Sequence, residues 1–249
     1  MKIGAQLYTL RAFTQNAADF DAAMKKVADI GYKYVQVSGI GPIPAREVAD
    51  ICKKHGLEIV ITHTPPARVK DETAAVIADH KTMGAKLIGI GMMPGDYEHT
   101  AAGVQQFIAD FTPAVEAINQ AGMTFMYHNH AFEFEKYEGK LVMDYLMEGW
   151  PKAGFTLDTY WVQAGGGDPA AWLRKLKGRV PAIHVKDMSI HESKPRMEVV
   201  GAGNLNWPAI FVACKEAGVE YALVEQDDCY GADPFACLAA SYKYLSEVL

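Results

Sequence analysis

No apolar stretch in this sequence approaches the roughly 20 residues that a membrane-spanning helix needs. The first residues, Met1-Lys2 and then Ile3-Gly4-Ala5-Gln6-Leu7-Tyr8, are too short a run, and too polar at Gln6, for the apolar region of a signal peptide. A cytoplasmic protein is therefore expected. Cysteine is scarce, and Cys52, Cys214, Cys229 and Cys237 form no CxxC pair, which argues against a disulfide framework or a zinc knuckle and for buried thiols in a reducing compartment. Positive charge is short as well: 24 Lys and Arg stand against 30 Asp and Glu, and no basic stripe is present to neutralise phosphates, so nucleic acid is a disfavoured partner. Linkers and low-complexity segments are also lacking, and one domain over residues 1–249 is expected.

What the chain does have is apolar residues, half of the total, and a repeated order of short apolar run, polar loop, helical pattern and glycine. The helix ends read Ala28-Asp29-Ile30-Gly31, Lys53-Lys54-His55-Gly56, Lys81-Thr82-Met83-Gly84, Asn119-Gln120-Ala121-Gly122 and Lys215-Glu216-Ala217-Gly218. Glycine just past a helix is a frequent left-handed stop. Eight runs rich in Val, Ile, Leu, Phe and Tyr suit buried parallel strands: 2–9, 34–39, 58–64, 87–92, 124–129, 154–159, 180–187 and 221–227. Helices are expected near 16–30, 44–55, 70–83, 100–121, 141–149, 168–176, 206–217 and 233–248. Eight such units in about 250 residues point to a (β/α)8 TIM barrel. A doubly wound sheet uses the same units, but no G-x-G-x-x-G follows the first strand, where Tyr8-Thr9-Leu10-Arg11 stands. The run Gly165-Gly166-Gly167-Asp168-Pro169 lacks the Lys-Ser/Thr of a phosphate loop and reads as a turn with Asp168 as helix cap.

In a barrel the C-terminal strand ends converge on one rim. Strand three ends at His63, strand five at His128, strand six at Asp158, strand seven at His184 and strand eight at Glu225. Singly, each has an ordinary explanation: Asp158 as a helix cap, His184 as a hydrogen-bonded core histidine. Together they do not, because charged groups are rarely buried without partners, and five strands present ionisable groups at the same end. Two carboxylates with one or two imidazoles suit Mn2+, Co2+, Zn2+ or Mg2+.

The segments "LDTYWVQAGGGDP", "HVKDM", "VGAGNLNWPAI", "VEQD" and "YHNHAFEFE" resemble the sugar isomerase/epimerase superfamily of xylose-isomerase-like TIM barrels, over essentially the whole chain. The resemblance implies one divalent metal, Mn2+ favoured, held by His128, Asp158, His184 and Glu225, and a small-molecule sugar as substrate. It departs from the family at His128, where many members have Glu, and at Ala202, where Glu is frequent. The pair of glutamates that usually moves the protons is therefore incomplete, and either Glu133 reaches back from its loop or a histidine takes one role.

A metal polarising a sugar carbonyl makes the neighbouring C–H acidic, and a carboxylate that removes this proton leads through an enediolate to isomerisation or epimerisation. Loss of a β-substituent from the same intermediate gives a lyase or hydratase acting on 3-keto-glycosides, a reading that stays open. Glu225 is expected to be ligand and base, with Glu133 as its partner and facing the substrate; the other reading has Glu133 as the fourth ligand and His128 orienting a metal-bound group from behind. Lys186, two residues beyond His184 and so on the same face, is placed beside a developing oxyanion or in a salt bridge. His63 and His130 are assigned to sugar hydroxyls, with orientation of His128 as the other role for His130. Trp161 and Tyr8 are assigned as walls for the sugar ring or as core packing. Arg196 reads as a solvated loop charge, or as a clamp for an anionic group. A three-zinc endonuclease branch of the fold is disfavoured by Trp161, where that branch has histidine, and by Gly89-Ile90-Gly91-Met92-Met93, which offers no ligand. A non-catalytic sugar-binding protein and a homo-oligomer are left open.

Overall fold

In the computed structural model, which describes residues 1–249, the eight apolar runs close into a barrel of parallel strands. They are β1 (Lys2–Gln6), β2 (Tyr34–Val37), β3 (Glu58–His63), β4 (Leu87–Ile90), β5 (Thr124–His128), β6 (Gly154–Asp158), β7 (Ala182–Val185) and β8 (Tyr221–Val224). Each strand pairs in parallel with its neighbours in sequence, and β1 pairs with β8 to complete the circle. Helices lie between the strands, the last being Pro234–Val248. The five glycines that end helices or the turns after them all have positive φ, from 69° at Gly56 to 122° at Gly31. This is the backbone conformation that a side chain disfavours. No helix is long and apolar enough to cross a membrane. All four cysteines are free thiols.

Side-chain alternation explains where the site sits. Two residues before His63, His128, His184 and Glu225 come Ile61, Met126, Ala182 and Leu223. On an extended strand these share the inward face with the polar group that follows. With Val60 they form an apolar cluster of their own, separate from the main core between strands and helices. The polar groups therefore lie one layer above an apolar plug, at the C-terminal rim. The plug needs two glycines: a Cβ on Gly154 would lie 2.4 Å from Met126 Sδ, and one on Gly4 would lie 2.7 Å from Leu223 Cδ2.

Three local departures from the sequence-based expectation matter for the site. Strand one stops at Gln6, not at residue 9, because the Gln6 side chain accepts the Tyr8 N–H at 2.6 Å and starts a 3-10 helix, Leu7–Phe13. Strand six passes into a short helix, Thr159–Ala164, capped by Asp158 Oδ1 at the Trp161 N–H (2.9 Å). Strand seven stops at Val185, and the expected polar loop is an antiparallel hairpin, Asp187–His191 with Lys194–Glu198. Its turn residues Glu192 and Ser193 have φ of 48° and 63°, a left-handed turn made without the Gly or Asn that would have announced it.

Buried Asp187 ties this hairpin to the segment that follows. Its carboxylate accepts the backbone N–H groups of Met188, Gly201, Gly203 and Leu205 and the Trp207 indole N–H. A Cβ on Gly203 would lie 2.4 Å from Asp187 Oδ1, so the residue must be glycine for the loop to close on the carboxylate.

Candidate metal centre

His128 and Asp158 are the last residues of β5 and β6, His184 is the third residue of β7, and Glu225 follows β8 directly. One ligand atom from each lies within 4.8 Å of all the others, and all four side chains are buried. Adjacent-strand register helps: Asp158 pairs with His184 across β6 and β7, and His184 with Leu223 across β7 and β8.

The outward atom of each side chain is held by a neutral partner, which aims the inward atom at a common point. His128 Nδ1 lies 2.8 Å from the Gly91 carbonyl and His184 Nε2 lies 2.8 Å from Gln36 Oε1. Both partners are acceptors, so these nitrogens carry protons, and His128 Nε2 and His184 Nδ1 are the atoms that would ligate an ion once the rings are neutral. Asp158 Oδ1 is the helix cap, and Glu225 Oε1 accepts Gln6 Nε2 at 2.5 Å. That leaves Asp158 Oδ2 3.3 Å from His128 Nε2 and 3.5 Å from His184 Nδ1, and Glu225 Oε2 2.8 Å from His184 Nδ1. Although so close, His184 Nδ1 and Glu225 Oε2 have no partner in hydrogen-bonding geometry. Two imidazole nitrogens and two carboxylate oxygens converging in this way are a donor set that fits a divalent ion. These four residues form a metal-binding site.

Electrostatics agree with this set. Burial opposes charge on both carboxylates, yet Lys186 and the histidines outweigh it and hold Asp158 and Glu225 well below the usual carboxylate range. Burial, with His184 nearby, lowers His128 and favours its neutral, ligating form. On His184 burial acts in the same sense, but Glu225 and Asp158 prevail and lift it to about 9, a sign of how strongly the centre attracts positive charge.

Above the centre is a cavity of about 440 Å3, lined among others by Tyr8, His63, His130, Lys186, Glu225 and Asp227, a size suited to a small molecule. His63 and His130 line it, and each has one buried ring nitrogen without a protein partner, Nε2 and Nδ1 respectively. Burial lowers both, His130 to about 3, so both are neutral. His130 does not orient His128, because the Gly91 carbonyl does so. Tyr8 is 38% exposed at the rim, with the Arg11 guanidinium 4.4 Å from its ring centre. Trp161 lies behind His130, its ring centroid 5.2 Å away, and does not line the cavity. Arg196 is also remote from it, stacked on Tyr230 at 4.1 Å.

Glu133 does not face the substrate space, contrary to the expectation from its position in the sequence. The 3-10 turn Phe132–Phe134 folds its carboxylate inward, where it is fully buried, accepting the Tyr127 hydroxyl on Oε1 and the His130 N–H on Oε2, each at 2.7 Å. Burial pushes Glu133 up to about 8 from its ordinary 4.5. The folded state thus binds this proton more tightly than the unfolded chain, so the stability this group contributes is complete below pH 4.5 and is lost as pH rises towards 8. Relative to Glu133→Gln, which keeps the shape without the charge, the unmodified protein should lose unfolding free energy by up to about 1.4 kcal/mol per pH unit in that window. Urea unfolding of both proteins at pH 5, 6.5 and 8 checks this; parallel pH dependences would refute it.

Gln6, Gln36 and Asn129, whose Oδ1 accepts the Asp158 N–H at 3.0 Å, hold the centre in place and were not singled out from the sequence. Asp227 was missed too. Burial and Glu225 push it up to about 7, and its only hydrogen bonds are from Lys186 Nζ, at 3.2 and 3.1 Å. Its signal was the spacing Glu225-Gln226-Asp227, which keeps both carboxylates on one side of an extended segment.

Among solved structures, a sugar phosphate isomerase/epimerase from Parabacteroides distasonis shares 23% identity with this chain, covering 99% of it and 98% of that chain, with a TM-score of 0.83. An L-ribulose 3-epimerase has 14% identity, coverage of 99% and 94%, and a TM-score of 0.76. A probable 3-DHS dehydratase from Bacillus anthracis has 14% identity, covers both chains fully and has a TM-score of 0.75. At these identities the likeness is one of fold. No protein of curated function matches the chain in sequence. The family model described as xylose isomerase-like TIM barrel matches residues 24–236, and the chain belongs to that family.

Proposed function

We propose that this protein is a divalent-metal-dependent sugar isomerase/epimerase, working through an enediolate on a keto or aldo sugar or sugar derivative. The observation that carries this reading is the convergence of two imidazole nitrogens and two carboxylate oxygens at the floor of a cavity that also holds an ammonium group. His128, Asp158, His184 and Glu225 would hold the ion, with Mn2+ favoured. When bound, the ion supplies Lewis acidity that lowers the cost of negative charge on the substrate's carbonyl oxygen.

The chain's own groups supply the rest. Glu225, kept ionised, takes the proton from the carbon beside the carbonyl, while Gln6 fixes the direction of its carboxylate. Lys186 lies two residues past His184 and places its ammonium beside the oxygen on which charge develops. His63 and His130, with ring nitrogens left over, meet sugar hydroxyls, and Tyr8 provides an apolar wall. Trp161 packs beside the His130 ring and holds its orientation. Glu133 shapes the loop that carries His130. The second proton-transfer position, which Glu133 does not reach, falls to Asp227, the other carboxylate of the cavity.

The test is an NMR screen of keto sugars and 3-keto-glycosides in D2O with added Mn2+. Deuterium uptake next to the carbonyl together with isomer formation is expected. Aglycone release in place of isomer formation would move the protein to the lyases, and no exchange on any compound would make it a binding protein.

A further inference from the structure

Lys186 is 1% exposed, and its Nζ lies 3.0 Å from Asp158 Oδ2 and 2.9 Å from Glu225 Oε2. These are the oxygens that His128 Nε2 and His184 Nδ1 face, and not the ones already held by Trp161 and Gln6. The ammonium therefore holds the atoms that a divalent ion would need. On its other side, 3.1 Å away, is Asp227 Oδ2, belonging to a carboxylate with no other hydrogen-bond partner. Three carboxylates around one ammonium leave two negative charges, which a divalent ion neutralises provided that the lysine stays nearby and the histidines are neutral.

We propose that Lys186 is a built-in competitor of the metal, and that Asp227 is the seat onto which its ammonium withdraws when the ion enters. The pair sets the affinity of the centre: Lys186 occupies the two oxygens without the ion, and its charge weakens the hold on the ion when it is bound. Such a centre takes up and releases its metal, whereas the same four ligands without the lysine would retain it. This rests on the metal-centre reading above but not on the sugar chemistry.

The experiment is Mn2+ binding to the metal-stripped full-length protein, read by electron paramagnetic resonance of the free ion at constant pH. Lys186→Met should bind Mn2+ at least about tenfold more tightly than the unmodified protein, since both competition and repulsion are removed. Asp227→Asn should bind it more weakly, because the ammonium then has no other carboxylate to go to. In the double variant Lys186→Met/Asp227→Asn the weakening should shrink markedly, the non-additivity expected of residues acting as a unit. If Lys186→Met fails to fold because three carboxylates are left together, Lys186→Met/Asp227→Asn against Asp227→Asn measures the same competition with one charge fewer. Equal or weaker binding on removal of Lys186 in both backgrounds would overturn the proposal while leaving the metal centre standing. Absence of Mn2+ binding in every variant would overturn the metal centre, and the proposal with it.

Discussion

Glu225→Gln should lower turnover by about a thousandfold or more while the protein stays folded. The carboxylate is 3% exposed, with Oε1 held by Gln6 and Oε2 turned towards His184 and Lys186. A glutamine fills the same space, and its carbonyl oxygen can still accept from Gln6. Its amide nitrogen then points at the centre, where it can neither ligate a cation nor take a proton, so ligand and base are lost in one substitution. The checks are deuterium uptake into substrate, which should vanish, and the far-UV circular dichroism spectrum, which should not change. Exchange at a rate near that of the unmodified protein would place proton abstraction elsewhere, Asp227 being the other carboxylate of the cavity.

His128→Ala should reduce Mn2+ affinity by on the order of a hundredfold or more, since loss of even an outer partner of a ligand costs about 10- to 100-fold. Glu133→Gln should leave the affinity nearly as it was. The contrast follows from geometry: His128 Nε2 faces Asp158 Oδ2, whereas both Glu133 oxygens are already engaged by Tyr127 and by the His130 N–H. Calorimetric titration of both variants with Mn2+ decides the matter. Tight, stoichiometric metal in His128→Ala with loss of metal in Glu133→Gln would exchange the two assignments.

The barrel was legible in the sequence because its signals are local. A buried parallel strand reads as a short apolar run, and a helix end reads as a glycine in a backbone state that other residues avoid, as at Gly84 and Gly218. Strand-end polarity also carried far: His128, Asp158, His184 and Glu225 each break an apolar run at the same end, and closing the barrel brings them within 4.8 Å of one another. The hairpin after Val185 was not legible, because its left-handed turn uses Glu192 and Ser193, two residues that do not advertise it.

Other features depend on contacts between residues far apart in the chain, and these only the tertiary structure decided. Gln6 meets Glu225 across 219 positions and Gln36 meets His184 across 148, joined by barrel closure and not by any spacing. Glu133 illustrates the limit most directly. Its place beside the rim in sequence pointed towards the substrate, but the direction of a side chain in a loop is set by which buried donors need an acceptor, here Tyr127 and the His130 N–H. Sequence periodicity thus determined the strands, the helices and the rim on which ionisable groups gather. The packed barrel decided which atom of each group faces inward, because a buried polar atom must satisfy the partners that folding brings to it.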